Sequence, residues 1–353
     1  MRDALGIARQ QLADLVGADV EELVFTGGGT ESNNMALTSL AKLTKGKRII
    51  TGQIEHSSVL NVCEQLAEEQ GYEVLKVGVT EAGVYDLSSL EKFLEQGEVA
   101  FVSLMLANNE TGIKQPIQEA CKIAHAYGVP FHTDGIQAVG KTAVDVHQLG
   151  VDFLSISGHK FHAPKGVGAL YIKSGMRFTP LVRGGGQEAG RRSGTENVAS
   201  IVALGKAAQI MTKKLEGGDH LPVAKLRDQL QETLCSSIEG VEVNGDESLR
   251  TANTLHVSFE GCEAAGLLIL LDEYGVACSA GSACMTGKQK PSHVQKAMGF
   301  SDKKANSSLR ISLSIFTTEE EVIEAAASVK KAVEKLRKVQ GGGGVGPVVI
   351  YTK

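Results

Sequence analysis

The chain has 353 residues, 42% of them hydrophobic and 22% charged, with a formal net charge of -5. That length can bury a sizeable core and form two domains, while the mildly acidic balance argues against a nucleic-acid binder, which carries a basic face. No apolar run is long enough to span a membrane, and residues 1–25 lack the core of a signal peptide. Six cysteines at positions 63, 121, 235, 262, 278 and 284 are irregularly spaced, which predicts free thiols in a reducing compartment, the cytoplasm or an organelle, rather than a disulfide framework.

Leu5, Ala8, Leu12 and Leu15 recur at helical spacing and predict a first helix over 3–16. Val24-Phe25 predicts a short strand. It runs into Thr26-Gly27-Gly28-Gly29-Thr30-Glu31-Ser32, and a helix with Met35, Leu37 and Leu40 follows. A strand, glycine turn and helix start present backbone N–H groups to an anion. The spacing is neither that of a nucleotide-phosphate loop nor that of a dinucleotide turn, so the alternatives are the phosphate of another cofactor or a plain N-cap by Thr30. Further strands are expected at 48–51, 72–77, 99–106, 129–132, 153–157 and 167–172, with helices at 58–69, 87–94 and 116–126 between them. Such alternation predicts an α/β fold with a parallel or mixed sheet covered on both faces. Ligands of such sheets sit beyond the carboxyl ends of the strands. The polar clusters fall there: after Phe25, Leu106, His132 and Ile156, with His56 a few residues past the strand at 48–51.

The pattern changes after Tyr171. A polar, glycine-rich loop (184–197) precedes a helix over 196–215, then a helix at 221–239, strands at 241–244 and 253–259, and a helix at 262–273. A strand near 275–278, a loop and short helix at 287–298, a strand at 309–313 and a last helix at 318–338 complete the pattern. A large domain over 1–216, a smaller α+β domain over 217–340 and a glycine-rich tail over 341–353 are expected.

The chemistry centres on Ser157-Gly158-His159-Lys160, at the end of an apolar run. A partly enclosed lysine can lose its proton and become a Schiff-base nucleophile, whereas the plainer reading is a charged turn after a strand. An aldehyde cofactor on a pyridine ring needs such a lysine, an acid at the ring nitrogen, a flat group over the ring, a donor to the ring oxygen and a phosphate cup. Asp134, ending a buried strand, is the candidate acid; His56 is the candidate stacking group; Gln137 and Asn109 are candidates for the ring oxygen; Thr30, Ser157 and His159 for the phosphate. Each alone has an ordinary structural explanation.

Thr26–Asn34, Glu55-His56, Asn108–Gly112, Asp134–Gln137, Ser157–Lys160, Arg192–Asn197 and Gly281–Cys284 stand in one order. With them the chain resembles the cysteine desulfurases of the nitrogen-fixation and iron–sulfur-cluster type, which depend on pyridoxal 5'-phosphate, from about residue 3 to 338. The resemblance implies the fold type I of pyridoxal-phosphate transferases, a mostly parallel sheet sandwiched by helices with a smaller α+β C-terminal domain. Lys160 then corresponds to the Schiff-base lysine, Asp134 to the ring-nitrogen partner, Gln137 and Asn109 to the ring-oxygen contacts, and His56 to the stacking, proton-shuttling histidine. Thr30, Ser157 and His159 correspond to phosphate ligands. Thr195 corresponds to a threonine that reaches the phosphate of a neighbouring subunit, which implies a homodimer. Arg310 corresponds to the arginine that grips the substrate carboxylate, and Cys284 to the nucleophile that takes sulfur from L-cysteine, leaving L-alanine and an enzyme persulfide for a sulfur-acceptor protein.

The small, polar and basic neighbours of Cys284 suit a thiolate. Cys63, Cys121, Cys235 and Cys262 are expected to fill helix faces. Cys278, Cys284 and His293 have no recognisable metal-site spacing, so no metal is expected. Relatives of this type begin with a further segment containing an Asn-Ala-Thr-Thr-like stretch, so the large domain is expected to be N-terminally truncated. Ser314-Ile315 stands where they carry Gly-Arg, and the tail resembles nothing in them. A selenocysteine lyase, an aminotransferase of the same fold and a truncated chain acting only as a binding partner are the alternative readings.

Overall fold

The computed structural model describes residues 2–216, 222–281 and 291–341. By compactness the chain divides into two units, Met1–Asn109 with Ile113–Leu221, and Glu110–Gly112 with Pro222–Lys353.

The first unit is built on a seven-stranded sheet. Its strands are β1 (Leu23–Thr26), β2 (Arg48–Gly52), β3 (Glu73–Val77), β4 (Val99–Ser103), β5 (Phe131–Asp134), β6 (Phe153–Ser157) and β7 (Gly168–Ile172), in the order β1-β7-β6-β5-β4-β2-β3. Neighbours β3, β2, β4, β5 and β6 pair in parallel, whereas β7 is antiparallel to both β6 and β1. The sheet is therefore mostly parallel, as its alternation with helices predicts. Every residue of β1, β5, β6 and β7 is buried, which is why β1, β6 and β7 read as mainly apolar runs rather than alternating patterns, whereas β5 (Phe-His-Thr-Asp) buries polar side chains. Polar residues inside the sheet are paired across it: the His132 ring bridges Ser103 Oγ (2.8 Å) and Ser155 Oγ (3.0 Å), and burial pushes its pKa down to about 3.

Helices cover this sheet. The helix Gly29–Leu43 buries Met35, Leu37 and Leu40 in a cluster with Phe101, Phe153 and Leu170, each such side chain contributing roughly 1.5–3 kcal/mol. The helices Ser57–Gln70, Leu87–Glu95 and Ile117–Ala126 connect successive parallel strands. The antiparallel course of β7 sets its first residue beside the last of β6, with Gly168 opposite Ser157. Only glycine fits there. A Cβ on Gly168 would overlap the Ile156 carbonyl and sit 2.8 Å from Gly28 Cα.

The second unit has an antiparallel sheet of β8 (Val241–Val243), β9 (Thr254–Phe259) and β10 (Ser308–Ser312), with β9 in the middle. The helices Pro222–Ser237, Ala264–Glu273 and Glu319–Gly341 belong to it. The strand expected near 275–278 is not formed. The chain there makes one bridge, Ser279 to Arg310, where Arg310 N donates to Ser279 O at 2.7 Å. Three residues of the loop after β4, Glu110–Gly112, group with this unit, and Thr251 N donates to Gly112 O at 2.8 Å. A single cut in the sequence cannot express that division. Cys63 and Cys121 are buried on helices as expected, whereas Cys262 is buried just ahead of the helix Ala264–Glu273 rather than on it, and Cys235 is exposed on its helix. Residues 342–353 of the expected tail lie outside the described residues.

Candidate active site

Within the first unit the carboxyl ends of the parallel strands bring the candidate residues together. Asp134 is the last residue of β5 and is buried. Its Oδ1 accepts Ile136 N–H at 2.9 Å and its Oδ2 accepts Asn33 Nδ2–H at 2.8 Å. Burial raises its pKa. The two hydrogen bonds oppose the shift, and so do His56 and Lys160, which lie close enough to act on its charge. Lys160 is half-buried in the short 3-10 turn Gly158–Phe161 that follows β6. Lysine, histidine and aspartate from three strand ends thus share one electrostatic neighbourhood.

His56 is the N-cap of the helix Ser57–Gln70. Its Nδ1 accepts Ser58 N–H at 3.1 Å and faces Ser58 Oγ at 2.8 Å, while the residue as a whole is exposed. Gln137 is half-buried in the turn after β5, and its Oε1 accepts from Lys141 Nζ. Asn109 is half-buried in the loop after β4. Its neighbour Asn108 fastens that loop to the segment before His56, with Asn108 Nδ2 donating to Ile54 O at 3.1 Å.

The start of a helix lies beside these groups. Thr30 is exposed in the first turn of the helix that starts at Gly29. A Cβ on Gly29 would overlap Ile136 and lie 3.2 Å from Ser157 Cβ, so the helix start is packed against both the turn after Asp134 and the end of β6. Ser157 Oγ is 3.0 Å from His159 Nδ1. Burial, then Lys160, Lys165 and Lys141, lower the His159 pKa. Three ammonium groups and a helix N-terminus therefore bear on one place, which suits a phosphate. A buried acid, a lysine and this cup together fit a phosphorylated pyridine aldehyde. Thr195 lines a small separate cavity of about 200 Å³ with Thr26, Gly27, Gly166 and Arg192. Arg192 is held there by Glu31 at 2.8 Å.

Three buried residues of this region escaped the sequence reading. Asn33 links Asp134 to Ser58, donating to Ser58 Oγ at 2.9 Å as well. Glu55, wholly buried, accepts from the Tyr85 hydroxyl and from Met105 N (2.7 Å), and burial raises its pKa to about 8 with Asp134 adding to the rise. Two lie inside the quoted motifs and Ser58 just beyond one, yet their partners are strands away.

In the second unit Arg310 sits at the middle of β10, opposite His256. Burial lowers its pKa and Glu110 opposes this. Glu110 accepts Ser292 Oγ–H at 2.6 Å, and burial raises its pKa to about 7. Cys284 lies outside the described residues. The five described thiols are all shifted away from reactivity: burial pushes Cys63 and Cys121 up to about 12 and Cys278 to about 11, and raises Cys235 and Cys262 too.

A model of the aminotransferase class-V family matches residues 1–324. The chain is 46% identical over 335 residues to a cysteine desulfurase of a Nostoc species, covering 95% of this chain and 83% of that one. It is 44% identical over 348 residues to the cysteine desulfurase NifS of Azotobacter vinelandii, covering 98% and 86%. A solved NifS-like protein superposes with a TM-score of 0.86 at 35% identity, over 95% of this chain and 88% of that one. By its sequence and by its fold, the chain belongs to the aminotransferase class-V family.

Proposed function

We propose that the chain is a cysteine desulfurase that uses pyridoxal 5'-phosphate. The observation that carries this reading is the grouping of Lys160 and His56 around the buried carboxylate of Asp134, at the carboxyl ends of parallel strands. The identities to cysteine desulfurases over most of the chain support it. In the proposed roles Lys160 would hold the cofactor's aldehyde, Asp134 would serve its ring nitrogen, His56 its ring, and Asn109 and Gln137 its ring oxygen. Thr30, Ser157 and His159 would hold its phosphate, Thr195 would do so for a second subunit of a homodimer, and Arg310 would take the substrate carboxylate.

When bound, the cofactor supplies an electron sink for the carbon next to the amino group. The chain does the rest. Asp134 offers a carboxylate fixed by Asn33 and Ile136, whose burial strengthens its hold on a proton or a cationic ring. His56 offers Nε2 for proton transfer, because Nδ1 is engaged with Ser58. The thiolate of Cys284 attacks the sulfur of L-cysteine as its bond to carbon breaks. The balance is L-cysteine plus enzyme thiol giving L-alanine plus enzyme persulfide. All five described thiols have raised pKa values, which supports assigning this step to the sixth. The persulfide then passes to a sulfur-acceptor protein. A cytoplasmic setting fits the free cysteines, and no described helix is long and apolar enough to cross a membrane.

The test pairs absorbance with product release. Cofactor added to the wild type is expected to give a visible absorbance that Lys160→Ala lacks, and Cys284→Ala is expected to lose sulfide and alanine release from cysteine while keeping that absorbance. A Lys160→Ala protein with wild-type absorbance, or a Cys284→Ala protein with wild-type release, overturns the reading.

A further inference from the structure

His56, Ser58, Asn33 and Asp134 form a chain of hydrogen bonds in which every direction is determined. A backbone N–H can only donate, so the bond from Ser58 N to His56 Nδ1 (3.1 Å) requires a lone pair on Nδ1. The hydrogen of the neutral ring is therefore on Nε2. At the other end, Asp134 Oδ2 lies 2.8 Å from Asn33 Nδ2. Turning the amide over would set Asn33 Oδ1 against a carboxylate oxygen, two acceptors face to face. The carboxylate thus orients the amide, and the second amide hydrogen goes to Ser58 Oγ at 2.9 Å. Ser58 Oγ accepts there and directs its own hydrogen to His56 Nδ1, 2.8 Å away. Asn33 is wholly buried, and among the described residues its Oδ1 has no hydrogen-bond partner.

We infer that Asn33 and Ser58 are positioning residues that tie the orientation of Asp134 to the tautomer of His56, holding the ring hydrogen on Nε2. The inference rests on the proposed function for its catalytic meaning, since it concerns the two groups assigned to the ring nitrogen and to proton transfer. Its consequence is that proton traffic at His56 is confined to Nε2. Nδ1 receives two donors from Ser58 and cannot take a proton without losing both. Both residues are buried, and each acts through a neighbour: Asn33 through Asp134 and Ser58, Ser58 through His56.

The test reads the His56 ring in the cofactor-free protein by ¹⁵N NMR in mildly alkaline buffer, where imidazoles are neutral. The wild type is expected to show a hydrogen on Nε2 and none on Nδ1, with the Nδ1 resonance displaced by its two donors. Ser58→Ala is expected to move Nδ1 toward the position of a free ring nitrogen, and Ser58→Thr, which keeps the hydroxyl, to return it. Asn33→Leu removes both amide donors and is expected to move the same resonance without any change in His56 or Ser58. In the loaded enzyme Asn33→Leu is expected to lower kcat roughly 10- to 100-fold with KM little changed. A hydrogen on Nδ1 in the wild type overturns the inference, and so does an Asn33→Leu spectrum with Nδ1 unmoved. If Asn33→Leu does not fold, Ser58→Ala decides alone by the same resonance. A chain that takes up no cofactor defeats the proposed function and leaves the ring measurement standing. Uptake with an unmoved Nδ1 defeats the relay only.

Discussion

Glu55 shows how one side chain can govern the pH response of this fold. Its carboxyl is wholly buried, with two donors on Oε1 and Asp134 close by, and its pKa is about 8 in the folded protein against 4.5 for an ordinary glutamate. The folded state therefore holds a proton that the unfolded chain has released. Stability from this group is complete below about pH 4.5 and is lost as pH rises toward 8. Asp134 is shifted in the same direction, so the comparison must isolate Glu55. Glu55→Gln keeps an acceptor for Tyr85 and Met105 and carries no charge. Its urea midpoint, measured from pH 5 to pH 8, is expected to fall less than that of the wild type. An equal fall would assign the loss to other groups. Sequence made Lys160, Asp134, His56 and Ser157 legible because each closes or follows an apolar run, where polar residues need a reason. It did not make Asn33 legible as a partner of Asp134, which lies 101 residues away, because hydrogen bonding across elements has no period. Glu55 was quoted only as the neighbour of His56, and its burial depends on Tyr85, 30 residues on.

At the level of elements, the start of the helix Gly29–Leu43 is the joint that holds the site together. Gly29 lets that helix close on Ile136 and Ser157, and so brings Thr30 to the end of β6. Gly29→Ala is expected to destabilise the protein by about 1–3 kcal/mol, as overpacking does, and to weaken cofactor affinity because the turn carrying Gln137 must shift. Removing the overlapped methyl in Gly29→Ala/Ile136→Val is expected to restore part of both; denaturant midpoints and cofactor titrations measure them. No recovery in the double variant would place the damage elsewhere. Strand positions were legible from apolar runs, but strand direction was not, since a run reads alike either way. The reversal of β7 is a product of pairing. The run at 275–278 has the composition of a strand and lacks a ladder partner beyond one bridge, so composition misled there.

Over the whole molecule, the proposed cofactor would bind groups of the folded first unit that the unfolded chain does not assemble. A ligand of the native state stabilises by mass action, about 2.7 kcal/mol at a hundredfold excess over its Kd. Thermal unfolding of the cofactor-free protein is expected to shift to higher Tm with the logarithm of added pyridoxal 5'-phosphate, and to shift far less in Lys160→Ala. An equal shift in the two would remove the lysine from the binding energy. The overall class was readable because strands, helices and polar strand ends repeat in one order. The division into units was less so, because Glu110–Gly112 leave the loop of the first unit to pack with residues more than a hundred positions on.

The contact of Gly168 with Gly28 and the Ile156 carbonyl has a practical meaning for anyone diversifying this protein. The obstacle at Gly168 is main chain, which no repacking of neighbours can move aside. A library meant to alter substrate range should hold codon 168 constant and spend its diversity on positions whose neighbours are side chains. In a deep mutational scan, position 168 is where a conservative alanine should be depleted as severely as a charge.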